Sequence, residues 1–485
     1  MGTPRSLRRA AVLLAAAGLG LGLVSGSAQA APAPAAPGTA GLLPVVFVHG
    51  NSGSAAQFET QFQRFTSNGY PQSLLFAYEY DTSVPSNTAA IADLGPYLDR
   101  VLAMTGARQV YLVGHSRGTT VSHAFLADPV QAAKVARYVN LDGRSAAAPP
   151  GGVPTLALWG EWQSPPAPVL GAVGTIAGAT NVYNPDESHV EVASSARSFA
   201  AMYQFLLGRA PATTGVRTQF GLAVRVAGRA VLFPQNAGFQ GATLQVWPVN
   251  PLTGHRLTVR PLRSIALDAT GDFGPFTLAG GLLPARYEFA LIRPGGTVHH
   301  FYQESFRRDD LFVRLNSAPT GTGLELFTPA GPRHVNAVVV RAREMWGDQG
   351  AGSDSLTVNS LGDGQPALEL LTPLTSPRHS DRSRPDGQVG EDNAMFVTDV
   401  GAPTATGYGP PDQQTDLGKG QLVPFNALTF LAAVDVFVPA DPNARGAVRF
   451  TLTPRGGRTP DVVTVPNWPS DQNRISINFR DDVTG

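Results

Sequence analysis

The chain has 485 residues, which is too long for one ordinary domain and indicates two to three, each able to bury a core. Its 36 basic and 36 acidic side chains cancel to a formal charge of zero, and no block of like charge suggests a nucleic-acid partner. Composition is that of a globular protein, and cysteine is absent, so packing must hold the fold without disulfides.

The first thirty residues have the pattern of an export signal. Three arginines precede an apolar stretch over residues 10–24, and Ala28-Gln29-Ala30 ends the segment. The alternative is a membrane anchor, which is disfavoured because the apolar stretch is short for a bilayer span. We therefore predict a signal peptide at 1–30, a linker rich in Pro and Ala at 31–41, and a secreted, extracellular protein without a transmembrane segment.

The most informative stretch runs from Val110 to Thr119 and joins a short apolar run to Gly-x-Ser-x-Gly. Such a motif arises by chance in Gly-rich loops, but here a buried strand precedes it and a helix follows. Gly114 and Gly118 lack the side chains that would keep strand and helix apart. This context predicts a nucleophile elbow with Ser116 at its apex.

Strands and helices alternate on both sides of this elbow, which predicts a mostly parallel sheet with helices on both faces. The expected strands cover 43–48, 73–80, 109–113, 138–141, 155–159 and 181–183, and the expected helices cover 57–68, 87–104, a segment from 120, and 195–207.

A serine hydroxyl needs a histidine to accept its proton and an acid to orient that histidine. Hydrolases with this elbow place them in the order serine, acid, histidine, on loops after strands. Asp142 and His189 fit both the order and the placement, so Ser116, Asp142 and His189 form the predicted catalytic triad. Glu161 is the alternative acid, and His115 and His123 are the competing histidines.

The tetrahedral intermediate also needs backbone N–H donors directed at its oxyanion. Arg117, directly after the nucleophile, is expected to supply one. The second should come from the loop after the first strand, where Asn51 is the best-placed residue. The chemistry requires no cofactor and no metal.

From residue 213 onward, short runs alternate between apolar and polar residues and are broken by turn residues. A period of two with frequent turns predicts antiparallel strands in sandwich-like or barrel-like units. The predicted domains are therefore a catalytic domain at 42–211, a first β domain at 215–297 and a second at 298–485.

These features together resemble a known family. The segments Val45 to Gly50, Gly114 to Gly118, Asn140 to Gly143 and Ser188-His189 resemble secreted lipases of the α/β-hydrolase superfamily. Gln57-Phe58-Glu59, Asn68 to Pro71, Glu79 to Thr82 and His300-Phe301-Tyr302 are similar to the Archaeoglobus type of two-part lipase. That resemblance implies an α/β-hydrolase domain followed by all-β C-terminal domains that help present substrate.

One segment departs from this family. The similar lipases carry a helical lid after the segment that matches Tyr80 to Thr82, whereas only residues 83–86 separate it from the next helix here. We therefore expect an open site without strong interfacial activation. The loop from Trp162 to Ala177 is the expected wall of the acyl pocket, with a plain surface loop as the alternative.

The sequence thus predicts a secreted lipase or carboxylesterase that acts on acylglycerols or similar esters. Its substrate could be insoluble or polymeric, which leaves a polyester hydrolase with the same triad as one alternative. The other is a non-catalytic binding or surface protein with a vestigial hydrolase fold. Acyl chain length and oligomeric state stay open.

Overall fold

A computed structural model describes residues 41–160, 174–184, 187–341, 343, 345, 354–362, 364–371, 393–405, 407–423, 425, 430–455 and 459–480. The predicted signal peptide and nearly all of the predicted linker lie outside these ranges. In the described part of the chain, no helix combines the length and apolar character needed to cross a bilayer.

The N-terminal unit, residues 42–210, is built on a six-stranded sheet in which every pairing is parallel and the strand order is β2-β1-β3-β4-β5-β6. Its strands are β1 Val45–Val48, β2 Leu75–Tyr78, β3 Val110–His115, β4 Val135–Leu141, β5 Thr155–Trp159 and β6 Thr180–Tyr183. The α-helices are α1 Glu59–Ser67, α2 Thr88–Thr105, α3 Arg117–Leu126, α4 Pro129–Ala132, α5 Glu191–Ser194 and α6 Ala196–Leu207. Short 3-10 helices cover Ala55–Phe58, Gln72–Leu74 and Pro150–Gly152.

Local sequence explains where these helices begin and end. The Ser195 hydroxyl accepts a hydrogen bond from the Ser198 N–H and so caps α6, which ends at Gly208 in the left-handed conformation. Apolar side chains of α1 and α6 pack on one face of the sheet, and those of α2 and α3 pack on the other. The prediction of a parallel sheet covered on both faces is confirmed.

The remaining strands form a β-rich half. They are β7 Ala223–Leu232, β8 Ala237–Gly238, β9 Thr243–Val249, β10 Arg263–Ala266, β11 Asp272–Ala279, β12 Arg286–Ile292, β13 Val298–Gln303, β14 Asp310–Ser317, β15 Ala337–Arg341, β16 Ser355–Leu361, β17 Leu368–Glu369, β18 Ala394–Thr398, β19 Pro403–Thr404, β20 Gly407–Tyr408, β21 Leu431–Asp435, β22 Ala447–Thr453, β23 Asp461–Pro466 and β24 Asn473–Phe479. Further 3-10 helices cover Gly323–Phe327 and Leu417–Lys419.

One eight-stranded sheet, in the order β10-β9-β12-β13-β24-β15-β18-β21, runs through this half. One of its faces carries Phe289 and Phe301, which pack against the small sheet of β11, β7 and β14. The opposite face carries Tyr302 and Ile477, which pack against the sheet of β17, β16, β22 and β23. We call residues 215–321 the middle β region and residues 322–480 the C-terminal β region.

The β architecture is confirmed, but four strand pairings differ from the antiparallel expectation. The pairs β7–β14, β13–β24, β15–β24 and β18–β21 are parallel. Alternation identifies which face of a strand is buried and carries no information on the direction of its neighbour. The predicted boundary between residues 297 and 298 falls at the hairpin of β12 and β13, and the division into two β domains stays a prediction.

Candidate active site

Ser116 lies between β3 and α3 with φ 52° and ψ −123°, a strained conformation that turns the chain sharply. The helix that follows crosses the end of β1 so closely that a Cβ atom on Gly118 would lie 2.3 Å from the Val48 carbonyl oxygen. Only glycine fits at that position. The geometry at Ser116 has the features of the predicted nucleophile elbow.

The structure brings Asp142 and His189 into contact. The His189 Nδ1 lies 2.6 Å from the Asp142 Oδ2, and the other carboxylate oxygen accepts a hydrogen bond from the Gly160 N–H at 2.8 Å. Asp142 directly follows β4, has φ 38° and is buried. This arrangement can hold one imidazole nitrogen as a donor and leave the other available as a proton acceptor.

His115, directly before Ser116, contacts His189. Its Nε2 lies 2.9 Å from the His189 carbonyl oxygen, its Nδ1 lies 2.6 Å from the Gln57 side-chain amide, and its ring centroid lies 4.8 Å from that of His189. Burial lowers the pKa of His115 well below its usual value, with a further contribution from His189. A neutral His115 therefore helps hold His189 beside the elbow.

The competing residues have other partners or are not described. The His123 Nε2 lies 3.2 Å from the Asn140 side-chain oxygen, and burial lowers its pKa to about 4. Glu187, two residues before His189 and not among the predicted site residues, accepts hydrogen bonds from Asn184 and Ser198, and burial raises its pKa. Glu161, the alternative acid, lies outside the described residues, as does most of the loop from Trp162 to Ala177.

The two predicted oxyanion residues meet through their side chains. An Arg117 Nη atom donates to the Asn51 side-chain oxygen at 2.8 Å. The same guanidinium donates to the Asn87 side chain at 2.6 Å and to the Val84 carbonyl at 2.6 Å. Residues 79–87 are all described and contain no helix. The hydrogen bonds of Arg117, the first residue of α3, fix this short segment beside the elbow. The roles of both backbone N–H groups stay predictions.

The loop after β1, residues 49–54, passes directly against the nucleophile. A Cβ atom on Gly50 would lie 3.0 Å from the Ser116 Cβ. His49 is fully buried, stacks on Tyr80 with ring centroids 4.5 Å apart, and has a pKa that burial lowers to about 4. We call residues 49–54 the β1 loop, and residues 187–191 the histidine loop.

A buried glutamate ties Ala55, the residue directly after the β1 loop, to the middle β region. Glu79 accepts from Arg314 at 3.0 Å, pairs with Arg229, and accepts from the Ala55 N–H at 3.4 Å. Burial acts to raise the pKa of Glu79, and the two arginines outweigh it, so that the pKa is lowered. The glutamate therefore stays ionised between its two partners.

A second buried glutamate anchors the histidine loop to the C-terminal β region. The Glu191 carboxylate lies 2.7 Å from the Arg343 Nε and 2.9 Å from an Arg455 Nη atom. Phe430 stacks on His189, with ring centroids 6.0 Å apart and an interplanar angle of 17°. No sequence pattern indicated these contacts, because their partners lie far apart along the chain and outside any motif.

Three segments of the chain match models of known protein families. Residues 42–127 match the class 2 lipase family model, and residues 222–319 match the lipase C-terminal domain model. Residues 323–483 match a third model that also describes a C-terminal domain.

Several solved structures are also similar to the chain. The lin2722 gene product of Listeria innocua is 13% identical, with a TM-score of 0.28 over 36% of this chain and 96% of that chain. Aspergillus fumigatus lipase B is 14% identical, with a TM-score of 0.29 over 38% of this chain and 56% of that chain. Bacillus licheniformis lipase BlEst2 is 18% identical, with a TM-score of 0.26 over 34% of this chain and 91% of that chain.

At such scores the assignment depends on the two lipase models and on the parallel sheet described above. The matches over residues 42–127 and 222–319 support a lipase/esterase family with a β-rich C-terminal part.

Proposed function

We propose that the protein is a secreted lipase or carboxylesterase that cleaves carboxylic esters such as acylglycerols through an acyl-enzyme on Ser116. The observation that carries the proposal is the 2.6 Å contact between the Asp142 carboxylate and His189 Nδ1, on the loops that follow β4 and β6. Secretion is supported by the residue pattern of the first thirty residues.

In the proposed reaction, the Asp142 carboxylate accepts a hydrogen bond from the His189 Nδ1–H, and this tautomer leaves a lone pair on Nε2. Nε2 takes the Ser116 proton as Oγ bonds to the ester carbonyl carbon, and the carbonyl electrons move onto oxygen. Collapse of this oxyanion breaks the bond to the alcohol oxygen, which takes the proton from His189. Water then repeats the sequence, releases the acid and restores the Ser116 hydroxyl.

The oxyanion that forms twice in this sequence needs donors already in place, because a preorganised N–H costs no reorganisation during reaction. Arg117 begins α3, so its N–H is unpaired within the helix and available for this role. The β1 loop is the proposed source of the second donor, since Gly50 lies against Ser116.

A polyester substrate is the second candidate. It is favoured by the short segment between β2 and α2, which contains no helix and which Arg117 fixes by several hydrogen bonds. An open approach to Ser116 on that side would suit a chain too bulky to enter a covered pocket.

The decisive variant is Ser116→Ala. We expect a loss of about 10⁴- to 10⁶-fold in kcat on a soluble p-nitrophenyl ester, with an unchanged melting temperature, because the hydroxyl is the nucleophile and buries little area. A p-nitrophenyl phosphonate should label the wild-type protein once, on the peptide that contains Ser116. Ser83→Ala, in the nearby exposed loop, is the matched control and should retain full activity.

An active Ser116→Ala protein would refute the proposal. The acid is tested separately with Asp142→Asn, which should lower kcat by about 10⁴-fold because the imidazole is then held in the wrong tautomer. If Asp142→Asn is fully active and Glu161→Gln is not, Glu161 is the acid. Comparing p-nitrophenyl esters with triglycerides and a solid polyester then separates the two candidate substrates.

A further inference from the structure

A buried asparagine of the middle β region contacts the β1 loop. The Asn236 Nδ2 donates to the Gly53 carbonyl at 2.9 Å and to the Tyr80 carbonyl at 3.0 Å, and it lies 3.4 Å from His49 Nε2. A side-chain amide has two hydrogens, so the two carbonyl contacts use both. Three acceptors around one atom identify it as the nitrogen, and the side chain therefore joins the β1 loop to the segment after β2.

The turn between β7 and β8 places this side chain. Asn236 has φ 58°, a left-handed conformation that asparagine tolerates better than most residues, and its N–H donates to the Leu232 carbonyl at 2.6 Å. The same turn accepts two hydrogen bonds on the Pro234 carbonyl, from the Thr82 N–H at 3.1 Å and the Thr82 hydroxyl at 3.0 Å. Asn236 is thus held in position independently of its contacts with the β1 loop.

A further contact fastens the next residue of the loop. The Asn316 side chain on β14 exchanges hydrogen bonds with the Ser54 hydroxyl, at 3.0 Å from its nitrogen and 3.2 Å from its oxygen. The Ser54 hydroxyl also caps the 3-10 helix by accepting from the Ala56 N–H at 3.2 Å. The β1 loop is therefore held at Gly53 and Ser54 by two side chains from outside the N-terminal unit.

We propose that Asn236 is a positioning residue for the oxyanion hole: by fixing the Gly53 and Tyr80 carbonyls it holds the backbone N–H groups of the β1 loop toward the ester bound at Ser116. This inference rests on the proposed function. It also assigns the middle β region a part in hydrolysis of soluble esters, in addition to any part in presenting insoluble ones.

The variants that test it are Asn236→Gly and Asn236→Asp. Glycine keeps the left-handed turn and removes only the side chain, whereas aspartate keeps the shape and replaces the donor by an acceptor that faces two carbonyls. Misplacing an oxyanion donor costs up to about 100-fold. We expect both variants to lower kcat by about 10- to 100-fold on p-nitrophenyl butyrate and to change KM by less than about 3-fold, with Asn236→Asp the more affected.

Asn467→Gly is the matched control. Asn467 is also buried and also bridges two segments, with its nitrogen 3.0 Å from the Pro439 carbonyl and its oxygen accepting from the Gly446 N–H at 2.9 Å. It lies in the C-terminal β region and has no contact with the β1 loop among its described hydrogen bonds. Its loss should lower the melting temperature and leave kcat unchanged.

Phosphonate labelling distinguishes failure of the Asn236 proposal from failure of the proposed function. The adduct carries a tetrahedral oxyanion, so the Asn236 variants should label Ser116 to the same final extent as wild type but about 10-fold more slowly or worse. If Asn236→Gly and Asn236→Asp both keep kcat and labelling rate within about 3-fold of wild type, Asn236 has no positioning role. If wild-type Ser116 is never labelled, the proposed function fails instead.

Discussion

The β1 loop lies against Ser116, the histidine loop contacts the neighbouring His115, and each loop is fastened by a different β region. Both have a buried glutamate between two arginines, Glu79 at Ala55 directly after the β1 loop and Glu191 within the histidine loop. They differ in what is added to the ion pairs. From its β region the β1 loop gains neutral hydrogen bonds from two asparagines, whereas from its β region the histidine loop gains a stacked ring, Phe430.

This difference separates two requirements of the proposed reaction. Backbone donors must point in a fixed direction, and hydrogen bonds to carbonyls fix direction because their geometry is narrow. An imidazole that accepts and returns a proton must keep its orientation while its charge changes, and a ring stacked at 6.0 Å tolerates both charge states. Each loop therefore has the kind of support that its predicted task needs.

The largest loss of unfolding free energy is expected when either of the two buried glutamates is replaced. Glu79→Gln removes the carboxylate shared by Arg229 and Arg314, and Glu191→Gln removes the one shared by Arg343 and Arg455. Breaking a buried ion pair in this way costs about 3–5 kcal/mol of unfolding free energy. Urea unfolding at pH 7 measures the loss. If the comparison holds, Glu79→Gln also lowers kcat and slows phosphonate labelling, whereas Glu191→Gln mainly shifts the pH profile of kcat/KM.

The control for this pair is Asp441→Asn. Asp441 pairs with the exposed Arg445 at 3.1 Å, and exposed pairs contribute about 0–1 kcal/mol. A loss in either glutamate variant no greater than that of Asp441→Asn would show that the ion pairs do not hold the two loops.

A smaller effect is expected from His49 in the β1 loop, whose protonation should lower the unfolding free energy by about 3 kcal/mol in total. Burial lowers its pKa from 6.5 to about 4, Glu79 acts to raise it, and Arg117 and Arg314 act to lower it further. Between pH 6.5 and 4 the unfolded chain binds a proton here that the folded protein does not, so the unfolding free energy falls as the pH falls. The added proton on Nε2 would face the Tyr80 N–H and the Asn236 amide.

The measurement is urea unfolding at pH 7, 5.5 and 4.5 for wild type and His49→Gln. The variant loses stability at every pH. The slope of its unfolding free energy against pH should be smaller by up to about 1.4 kcal/mol per pH unit, which corresponds to one proton. His123, whose pKa is also lowered to about 4, contributes equally to both proteins and cancels. Parallel pH curves for the two proteins would mean that His49 titrates normally.

The smallest effect is expected for Phe430→Ala. An aromatic contact of this kind contributes about 0.5–1.5 kcal/mol, which corresponds to roughly a 2- to 10-fold loss in kcat/KM if it orients His189. The matched control is Phe327→Ala, which removes a half-exposed ring that packs near Phe425 and lies outside the site. Equal kcat/KM for wild type and Phe430→Ala would leave Glu191 as the main support of the histidine loop.

The sequence predicted what neighbouring residues determine. Gly118, two residues after Ser116, and the position of Asp142 directly after a strand are local features of the sequence. In the structure Gly118 lies against the end of β1, and Asp142 contacts His189. The supports of the two loops are not local. Asn236 is separated from Gly53 by 183 positions and Arg455 from Glu191 by 264, and an asparagine or an arginine in a turn has no distinguishing pattern.

The predicted β half shows the same limit. The alternation between apolar and polar residues follows the buried face of its strands, as at Val448, Phe450 and Leu452 in β22. It could not show that the strand order of the long sheet departs from the order of the chain, because pairing depends on which edges are free when each strand arrives.

That strand order constrains how the protein is made. β24 is the last strand described, yet it lies between β13 and β15 near the middle of the long sheet, parallel to both. During synthesis, which adds about 5–20 residues each second, β13 and β15 must wait with open edges until residue 479 has emerged. Open edges of this kind favour aggregation. A chain that is exported unfolded would avoid this delay. Outside the cell the whole sequence is available at once, and β24 can pair with β13 and β15 as soon as they form.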